Sequence, residues 1–176
     1  LGFAQIMDRN PDRNAQDHAH LEKIMKAGEH LLDLINDVLS VARIEARTLT
    51  LNSQVFDSRN FFDLVQAMIR VRSEARGLSF DVEIDPGVPA FLEGDEGKLR
   101  QVLLNLLGNA VKFTQEGGIG LRVFYPAENV LHFFIVDTGP GISPEEVDHL
   151  FGRFVQTETG RRNTEGSGLG LFLSQA

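Results

Sequence analysis

Apolar positions in the first 50 residues recur every three or four places, which is typical of an amphipathic helix. They are Leu21, Ile24, Gly28, Leu31, Ile35, Val38 and Ala42, and the stripe is widened by Met25, Leu32 and Leu39. The stretch Asp8–Asp12 before them is rich in turn formers, so Leu1–Met7 is predicted to end a preceding helix. Residues 1–50 are therefore predicted to form a helical hairpin. One hairpin cannot bury so wide an apolar stripe, and pairing with a second copy into a four-helix bundle would cover it.

Residues 51–176 mix apolar runs with alternating segments. The predicted strands are Thr48–Phe56, Leu78–Ile84, Ile119–Phe124 and Val130–Asp137, and the predicted helices run from Asp57 or Ser58 to about Arg76, from Asp95 to Phe113, and from Leu171 to Ala176. Helices and strands are segregated rather than strictly alternating. The pattern therefore predicts an α+β two-layer sandwich with helices on one face of a mixed sheet.

Composition narrows the possible functions. The 176 residues are 42% hydrophobic, enough for one sizeable core and a smaller attached element. A net charge of −8 argues against nucleic acid as a partner. The absence of cysteine excludes disulfides, thiolate catalysis and a cysteine-based zinc site, and is compatible with a reducing cytoplasm. No apolar run approaches the roughly 20 residues that span a bilayer, so no membrane contact is predicted for this chain.

The helix predicted to begin at Asp95 carries an unusual polar stripe between Leu99 and Phe113. Projected at about 100° per residue, it gathers Gln101, Asn105, Asn109 and Lys112 on one side, and the rest is mostly apolar. A buried carboxamide without a partner costs roughly 1 to 3 kcal/mol. An isolated buried asparagine commonly bonds neighbouring backbone groups. Two further motifs favour a nucleotide site instead.

The first motif is the apolar run Phe133–Val136, which ends in Asp137 and continues as Thr138-Gly139-Pro140-Gly141-Ile142. It predicts a strand that delivers a carboxylate to its end. The second motif is Gly166-Ser167-Gly168-Leu169-Gly170-Leu171, which leads into a helix. A glycine-rich turn entering a helix exposes backbone N–H groups that suit phosphate.

The order and spacing of these motifs, with Phe151-Gly152-Arg153-Phe154 between them, resemble the catalytic domain of sensor histidine kinases in the GHKL ATPase superfamily. Ala27–Leu39 and Ile44–Ala46 resemble the dimerisation and histidine-phosphotransfer element of the same family. The resemblance implies a partial dimerisation hairpin at 1–50 and an ATP-binding catalytic domain at 51–176. The family continues beyond the second glycine motif, so the catalytic domain is expected to be C-terminally truncated.

The resemblance also implies a role for each motif residue. Asp137 would accept a hydrogen bond from the adenine amino group, and Asn109 would bind Mg²⁺. Asn105 and Lys112 would lie toward the phosphates and, with Asn109, form the catalytic set. The remaining cofactor-binding residues would be Phe113, Gly139, Gly141, Ile142, Arg153, Gly166, Gly168, Leu169 and Gly170. The polar stretch between Phe154 and Gly166 is predicted to be a mobile lid.

The implied function is an ATP-dependent protein-histidine kinase that passes phosphate on to an aspartate of a response regulator. The amide of Asn105 cannot take a proton as the Glu of hydrolysing relatives does, which favours phosphoryl transfer over hydrolysis. The acceptor histidine is expected upstream of Leu1. The histidines present lie in unsuitable contexts and none is nominated: His18, His20, His30, His132 and His149.

Two other classes of function remain open at this point. The first is a non-catalytic dimeric scaffold that keeps the ATP-binding fold, which the loss of Asn109, Asp137 or the glycines would favour. None of these is lost. The second is an aspartic protease, because Asp137-Thr138-Gly139 follows an apolar strand as in that enzyme class. A protease of this class needs two such aspartates in an all-β fold.

Overall fold

The computed structural model describes residues 15–46, 50–147, 149–150, 152, 155 and 168–175. The chain divides into two compact units, Leu1–Leu49 and Thr50–Ala176. The predicted first hairpin helix at Leu1–Met7 and the turn at Asp8–Asp12 lie outside the described residues.

The first unit contains one long helix, α1, from Ala15 to Glu45. The amphipathic helix predicted from the three-and-four spacing is therefore confirmed. Much of its apolar stripe is exposed to solvent, with Ile24, Leu31, Leu32, Ile35, Val38 and Leu39 between 47% and 58% exposed. Among the described residues, no helix combines the length and the apolar character needed to cross a membrane.

The second unit contains the remaining elements. In chain order they are β1 (Gln54–Asp57), α2 (Ser58–Glu74), β2 (Ser79–Ile84), β3 (Phe91–Gly94), α3 (Glu96–Phe113), β4 (Gly118–Ala127), β5 (Val130–Asp137), α4 (Pro144–Val147) and α5 (Gly170–Gln175). Strand β4 is the centre of a mixed sheet, parallel to β2 and antiparallel to β5. Strands β1 and β3 form a separate antiparallel pair. The predicted α+β class with a mixed sheet is confirmed, and the all-β fold that a protease reading requires is excluded.

The core lies between helices α2 and α3 and one face of the mixed sheet. Its buried residues are Phe61, Phe62, Val65, Ile69, Leu78, Leu103, Leu107, Ala110, Val111, Ile119, Leu121 and Val123. Strand β4 supplies alternate residues because successive side chains of a strand point to opposite faces. The two-layer arrangement holds α3 against the sheet, and this sets the position of its polar stripe.

Local capping explains where the helices begin and end. The Asp57 side chain accepts a hydrogen bond from the Asn60 N–H and caps α2, as its sequence position predicts. At the other end, Gly77 has a φ of +69° and the Leu78 N–H bonds back to the Ser73 carbonyl. This is a Schellman motif, for which glycine is favoured because it has no Cβ.

The observed strands differ from the predicted ones in detail. Of the strand predicted over Thr48–Phe56, the residues that the structure describes form a strand only from Gln54 onward. Just before it, the Asn52 N–H bonds the Asp95 carboxylate at 2.9 Å instead of a strand neighbour. Strand β3 was not predicted. Its four residues are too few to show a period, and they form a strand because they pair with β1.

Candidate functional site

Helix α3 is the central element of the candidate site. Asp95 begins it, with one carboxylate oxygen accepting from the Lys98 N–H and the other from the Asn52 N–H, each at 2.9 Å. These two backbone donors, Asn52 first, hold the pKa of Asp95 below its ordinary value. Asn105, Asn109 and Lys112 follow along the helix, all half-buried. From Asn105 to Phe113 the helix rises about 12 Å, so it can present groups to both ends of an extended ligand.

The loop after β5 meets the C-terminal end of α3. Asp137 ends the strand, its Oδ1 accepts from the Gly139 N–H at 2.8 Å, and the residue is exposed. An ideal Cβ placed on Gly139 would lie 2.7 Å from that oxygen and 3.5 Å from the Phe113 carbonyl oxygen. A side chain at this position would force the Asp137 carboxylate to move, so glycine permits the close approach that the structure shows. The structure brings together three predicted residues, Asp137, Gly139 and Phe113.

Thr138 fixes this loop to the segment that follows α3. Its hydroxyl donates to the Glu116 carbonyl at 2.8 Å and accepts from the Gly118 N–H at 3.0 Å. Its own N–H donates to the Gly118 carbonyl at 3.2 Å. These bonds hold the Asp137 carboxylate in place relative to the start of β4. Sequence analysis assigned no role to Thr138.

A second group of predicted residues meets at Asn105, about two turns before the C-terminal end of α3. The Asn105 amide donates to the Gly170 carbonyl at 2.5 Å and to the Ser174 hydroxyl at 3.4 Å, and this hydroxyl donates to the same carbonyl at 2.9 Å. An ideal Cβ on Gly170 would lie 2.5 Å from the Asn105 Oδ1 atom. The amide and the glycine therefore fit each other, and Asn105 anchors the end of the second glycine motif.

Asn109 and Lys112 lie between these two groups along the helix. The Lys112 ammonium lies 5.1 Å from the centroid of the Phe113 ring, a cation–π contact. Asn109 makes no side-chain hydrogen bond to any residue that the structure describes. A half-buried amide with unused donor and acceptor atoms suits a polar ligand.

Some of the remaining predicted site residues are described by the structure, and others lie outside the described residues. Gly141 has a φ of +74° and is exposed, and Ile142 beside it is 48% exposed. Gly168 has a φ of +68°, and Leu169 is buried. Arg153, Gly166 and nearly all of the predicted lid lie outside the described residues.

Sequence analysis also assigned no role to Arg76, which holds the C-terminal end of α3. Arg76, just after α2, donates through Nη1 to the carbonyls of Val111 and Lys112 at 3.0 and 2.9 Å. A guanidinium at the C-terminal end of α3 also interacts favourably with the helix dipole. No local sequence signal marks Arg76, since its partners lie more than 30 residues away.

The family follows from comparison with known proteins. Residues 94–176 match the sequence model described as histidine kinase-, DNA gyrase B-, and HSP90-like ATPase. This range contains α3, the Asp137 loop and the second glycine motif, and this part of the chain belongs to that family.

Similarity to individual proteins covers the whole chain and narrows the class. The histidine protein kinase DivJ of Caulobacter vibrioides is 36% identical over 181 residues, covering 100% of this chain and 30% of DivJ. The crystal structure of full-length ShkA with AMPPNP has a TM-score of 0.78 and 34% identity, covering 98% of this chain and 35% of ShkA. A ThkA structure in complex with the response regulator protein TrrA has the same fold, with a TM-score of 0.61 and 20% identity over 88% of this chain and 45% of ThkA.

Within the ATPase family, the chain carries a catalytic domain of the histidine kinase type. The predicted resemblance to the catalytic domain of histidine kinases is thus confirmed, and the α+β fold is of the GHKL type. The chain spans about a third of the length of DivJ and ShkA.

Proposed function

We propose that this chain is the ATP-dependent core of a protein-histidine kinase, which transfers the γ-phosphoryl of Mg·ATP to a histidine on the dimerisation element and then to an aspartate of a response regulator. The observation that carries the proposal is the pairing of α3 with two separate loops. Its C-terminal end meets Asp137 and Gly139, and Asn105, two turns earlier, holds Gly170. One helix thus presents a base-binding end and a phosphate-binding end.

The residues present fit an adenine nucleotide. Gly139 leaves open the side that a Cβ would fill, next to the Asp137 carboxylate. Among the described residues, Oδ2 of Asp137 accepts no hydrogen bond, so it is available to the exocyclic amino group of adenine. Guanine carries an oxygen at this place, which a carboxylate repels. We therefore assign base selection to Asp137, with Gly139, Gly141 and Ile142 close to the base and Phe113 beside it.

The residues also fit Mg²⁺ held mainly by the phosphates. Within the described ranges, no group of three or more His, Asp or Glu side chains could hold a metal ion. Mg²⁺ commonly uses one or two protein ligands, several waters and substrate phosphates, and the Asn109 amide oxygen is suited to be such a ligand. The bound ion would neutralise charge on the phosphates. Lys112 would contact a phosphate, and the N–H groups of Gly168, Leu169 and Gly170 would surround the phosphate chain. Arg153 and Gly166 keep their predicted phosphate-binding roles.

The chemistry and the hydrogen bonds of the Asn105 amide favour phosphoryl transfer over hydrolysis. An amide cannot act as a general base at neutral pH, and this amide is engaged with the Gly170 carbonyl and the Ser174 hydroxyl. Asn105 therefore contributes by positioning the glycine motif. Without a base for water, the acceptor side chain is the nucleophile that the site favours.

The exposed stripe of α1 supports a homodimer. Six large apolar side chains at helical spacing are about half exposed, and a contiguous apolar surface of this kind marks a protein interface. We propose that α1 is the second helix of a hairpin that pairs with a second copy in a four-helix bundle, as domain 1–50. The acceptor histidine would lie on the preceding helix of that bundle. The solved ThkA–TrrA complex supports a response regulator as the partner. The cytoplasmic location remains a prediction.

Titration calorimetry with ADP, with and without Mg²⁺, tests the site. We expect Asp137→Asn to weaken binding at least about tenfold in both conditions, because an amide in place of the carboxylate cannot accept on both atoms. Asn109→Ala should remove only the gain in affinity that Mg²⁺ provides. The matched controls are Asp81→Asn on the exposed face of β2 and Asn60→Ala on α2, both expected to bind as the wild type.

The same titration separates the kinase from the scaffold alternative. A wild-type chain that binds no adenine nucleotide with Mg²⁺ would contradict the proposed function and favour a dimeric scaffold. Equal loss of affinity in Asn109→Ala with and without Mg²⁺ would refute the metal role of Asn109 alone.

A further inference from the structure

The Thr114 hydroxyl is the one buried side-chain oxygen in the described part of the chain that has no hydrogen-bond partner. Thr114 follows the last residue of α3 and has no exposed surface, and its N–H is bonded to the Ala110 carbonyl at 3.1 Å. Buried hydroxyls nearly always have a partner, because an unpaired one loses its bonds to water without compensation. An unpaired hydroxyl beside a candidate binding site therefore requires an explanation.

The surroundings of the hydroxyl indicate its purpose. An ideal Cβ on Gly139 would lie 2.7 Å from the Asp137 Oδ1, 3.4 Å from the Thr114 Oγ1 and 3.5 Å from the Phe113 carbonyl oxygen. These oxygens, from two segments far apart in sequence, converge on one side of Gly139. A carboxylate and a carbonyl can only accept, and the Thr114 hydroxyl is the one group of the three that can donate.

We propose that Thr114 is a specificity-determining positioning residue of the base site, whose hydroxyl donates to the Asp137 carboxylate, directly or through one water, when a purine with an exocyclic amino group is bound. The inference rests on the proposed nucleotide site. Oδ1 of Asp137 accepts one bond from the Gly139 N–H, and a carboxylate oxygen can accept a second. Two donors on Oδ1 would fix the rotation of the carboxylate and direct Oδ2 at the amino group.

The proposal makes the effect of Thr114 depend on the base. Adenine presents an amino donor to the carboxylate, so orienting Oδ2 strengthens binding. Hypoxanthine presents an oxygen at the same position and gains nothing from an oriented carboxylate. The hydroxyl should therefore raise the affinity for ADP over that for IDP. A hydroxyl that is merely tolerated in the fold would affect both ligands alike or neither.

Thr114→Val is the decisive variant because it replaces the hydroxyl by a methyl group of similar size. We expect calorimetric affinity for Mg·ADP to fall about tenfold, affinity for Mg·IDP to change less than about twofold, and the free energy of unfolding without nucleotide to stay equal or rise. Thr114→Ser keeps the hydroxyl and should retain the preference for ADP. In an Asp137→Asn background, Thr114→Val should have less than about a twofold effect on ADP affinity.

Three outcomes would overturn the inference: Thr114→Val binding ADP as tightly as the wild type, equal losses for ADP and IDP, or an undiminished effect in the Asp137→Asn background. If Thr114→Val does not fold, loss of the ADP preference in Thr114→Ser decides against it. A wild-type chain that binds neither nucleotide refutes the proposed function itself, and this result differs from one in which only the Thr114 variants behave as the wild type.

Discussion

Helices α1 and α3 are both amphipathic, yet they use their apolar faces differently. Leu31 and Ile35 of α1 are 58% and 47% exposed, whereas Leu103 and Leu107 of α3 are 1% and 0% exposed. The spacing of apolar residues predicts a helix in both cases because both spacings follow the helical period. It does not predict whether the face is covered. Coverage depends on the sheet and on α2 for α3, and on a second copy, as we propose, for α1.

The polar residues of the two helices differ as well. Ser40 of α1 bonds the Asn36 carbonyl of its own helix at 2.8 Å. Asn105 of α3 bonds a residue 65 positions away. Local bonds of the first kind are common for serine in helices and carry no information about function. Long-range bonds of the second kind join separate segments into a site. The comparison shows that an amide on a covered helix is a better indicator of function than the helix itself.

Truncating the covered face should have the largest effect. We expect Leu107→Ala to lower the free energy of unfolding of the second unit by about 2 to 5 kcal/mol, because it leaves a cavity in the core. Leu31→Ala on the exposed face of α1 should change it by less than about 0.5 kcal/mol. Denaturant unfolding followed by the fluorescence of Tyr125 measures this, since Tyr125 lies on β4 and the chain has no other tyrosine and no tryptophan.

A similar loss in both variants would contradict this contrast, because it would mean that the stability of the second unit depends on the α1 face. Two-state behaviour of the Tyr125 signal is the control, and an unchanged dependence on denaturant in both variants would establish it.

A charge introduced on the exposed apolar face of α1 should have an intermediate effect. It should weaken self-association of the chain rather than its folding. We expect Ile35→Lys to weaken self-association at least about tenfold, about 1.4 kcal/mol, because a lysine placed in an apolar interface must be desolvated. Asn36→Lys adds the same charge at the neighbouring position, about 100° round the helix, and should have little effect. Sedimentation equilibrium measures both. A wild-type chain that stays monomeric at high concentration would refute the proposed dimer.

Much of the second unit could be predicted because its signals are local. Asp57 and Asp95 cap helices where the sequence indicates, and the apolar run before Asp137 forms the strand that carries it. The motif residues of the candidate site follow the same logic, since each motif combines a regular element with a glycine or polar residue at its end. The sequence predicts five site residues that the structure brings together in two groups. One group is Phe113, Asp137 and Gly139, and the other is Asn105 and Gly170.

The parts that could not be predicted depend on distant partners. Strand β3 exists because β1 pairs with it, and the Asn52 N–H just before β1 bonds the Asp95 carboxylate. Arg76 reaches carbonyls 35 and 36 positions further along the chain. The Thr114 hydroxyl is informative only because it lacks a partner in three dimensions. Periodicity contains no information about such contacts.

The smallest expected effect is on the free energy of unfolding, when the carboxylate that caps the first turn of α3 is replaced. This effect should depend on pH. The Asp95 carboxylate accepts from two backbone N–H groups, and these bonds hold its pKa below the ordinary value. A carboxyl group whose pKa is lowered by folding stabilises the folded state above its unfolded pKa, about 4, and this contribution is lost as the pH falls through the folded pKa.

Asp95→Asn keeps one oxygen for the Lys98 N–H but removes the charge and the second acceptor. We expect it to be less stable than the wild type at pH 7, by less than Leu107→Ala, and the difference should shrink as the pH is lowered from 5 to below the folded pKa of Asp95. Unfolding followed by Tyr125 fluorescence at several pH values measures this difference. A difference that stays constant over this range would mean that the charge of Asp95 does not stabilise α3, and that the covered face of the helix alone holds the site in place.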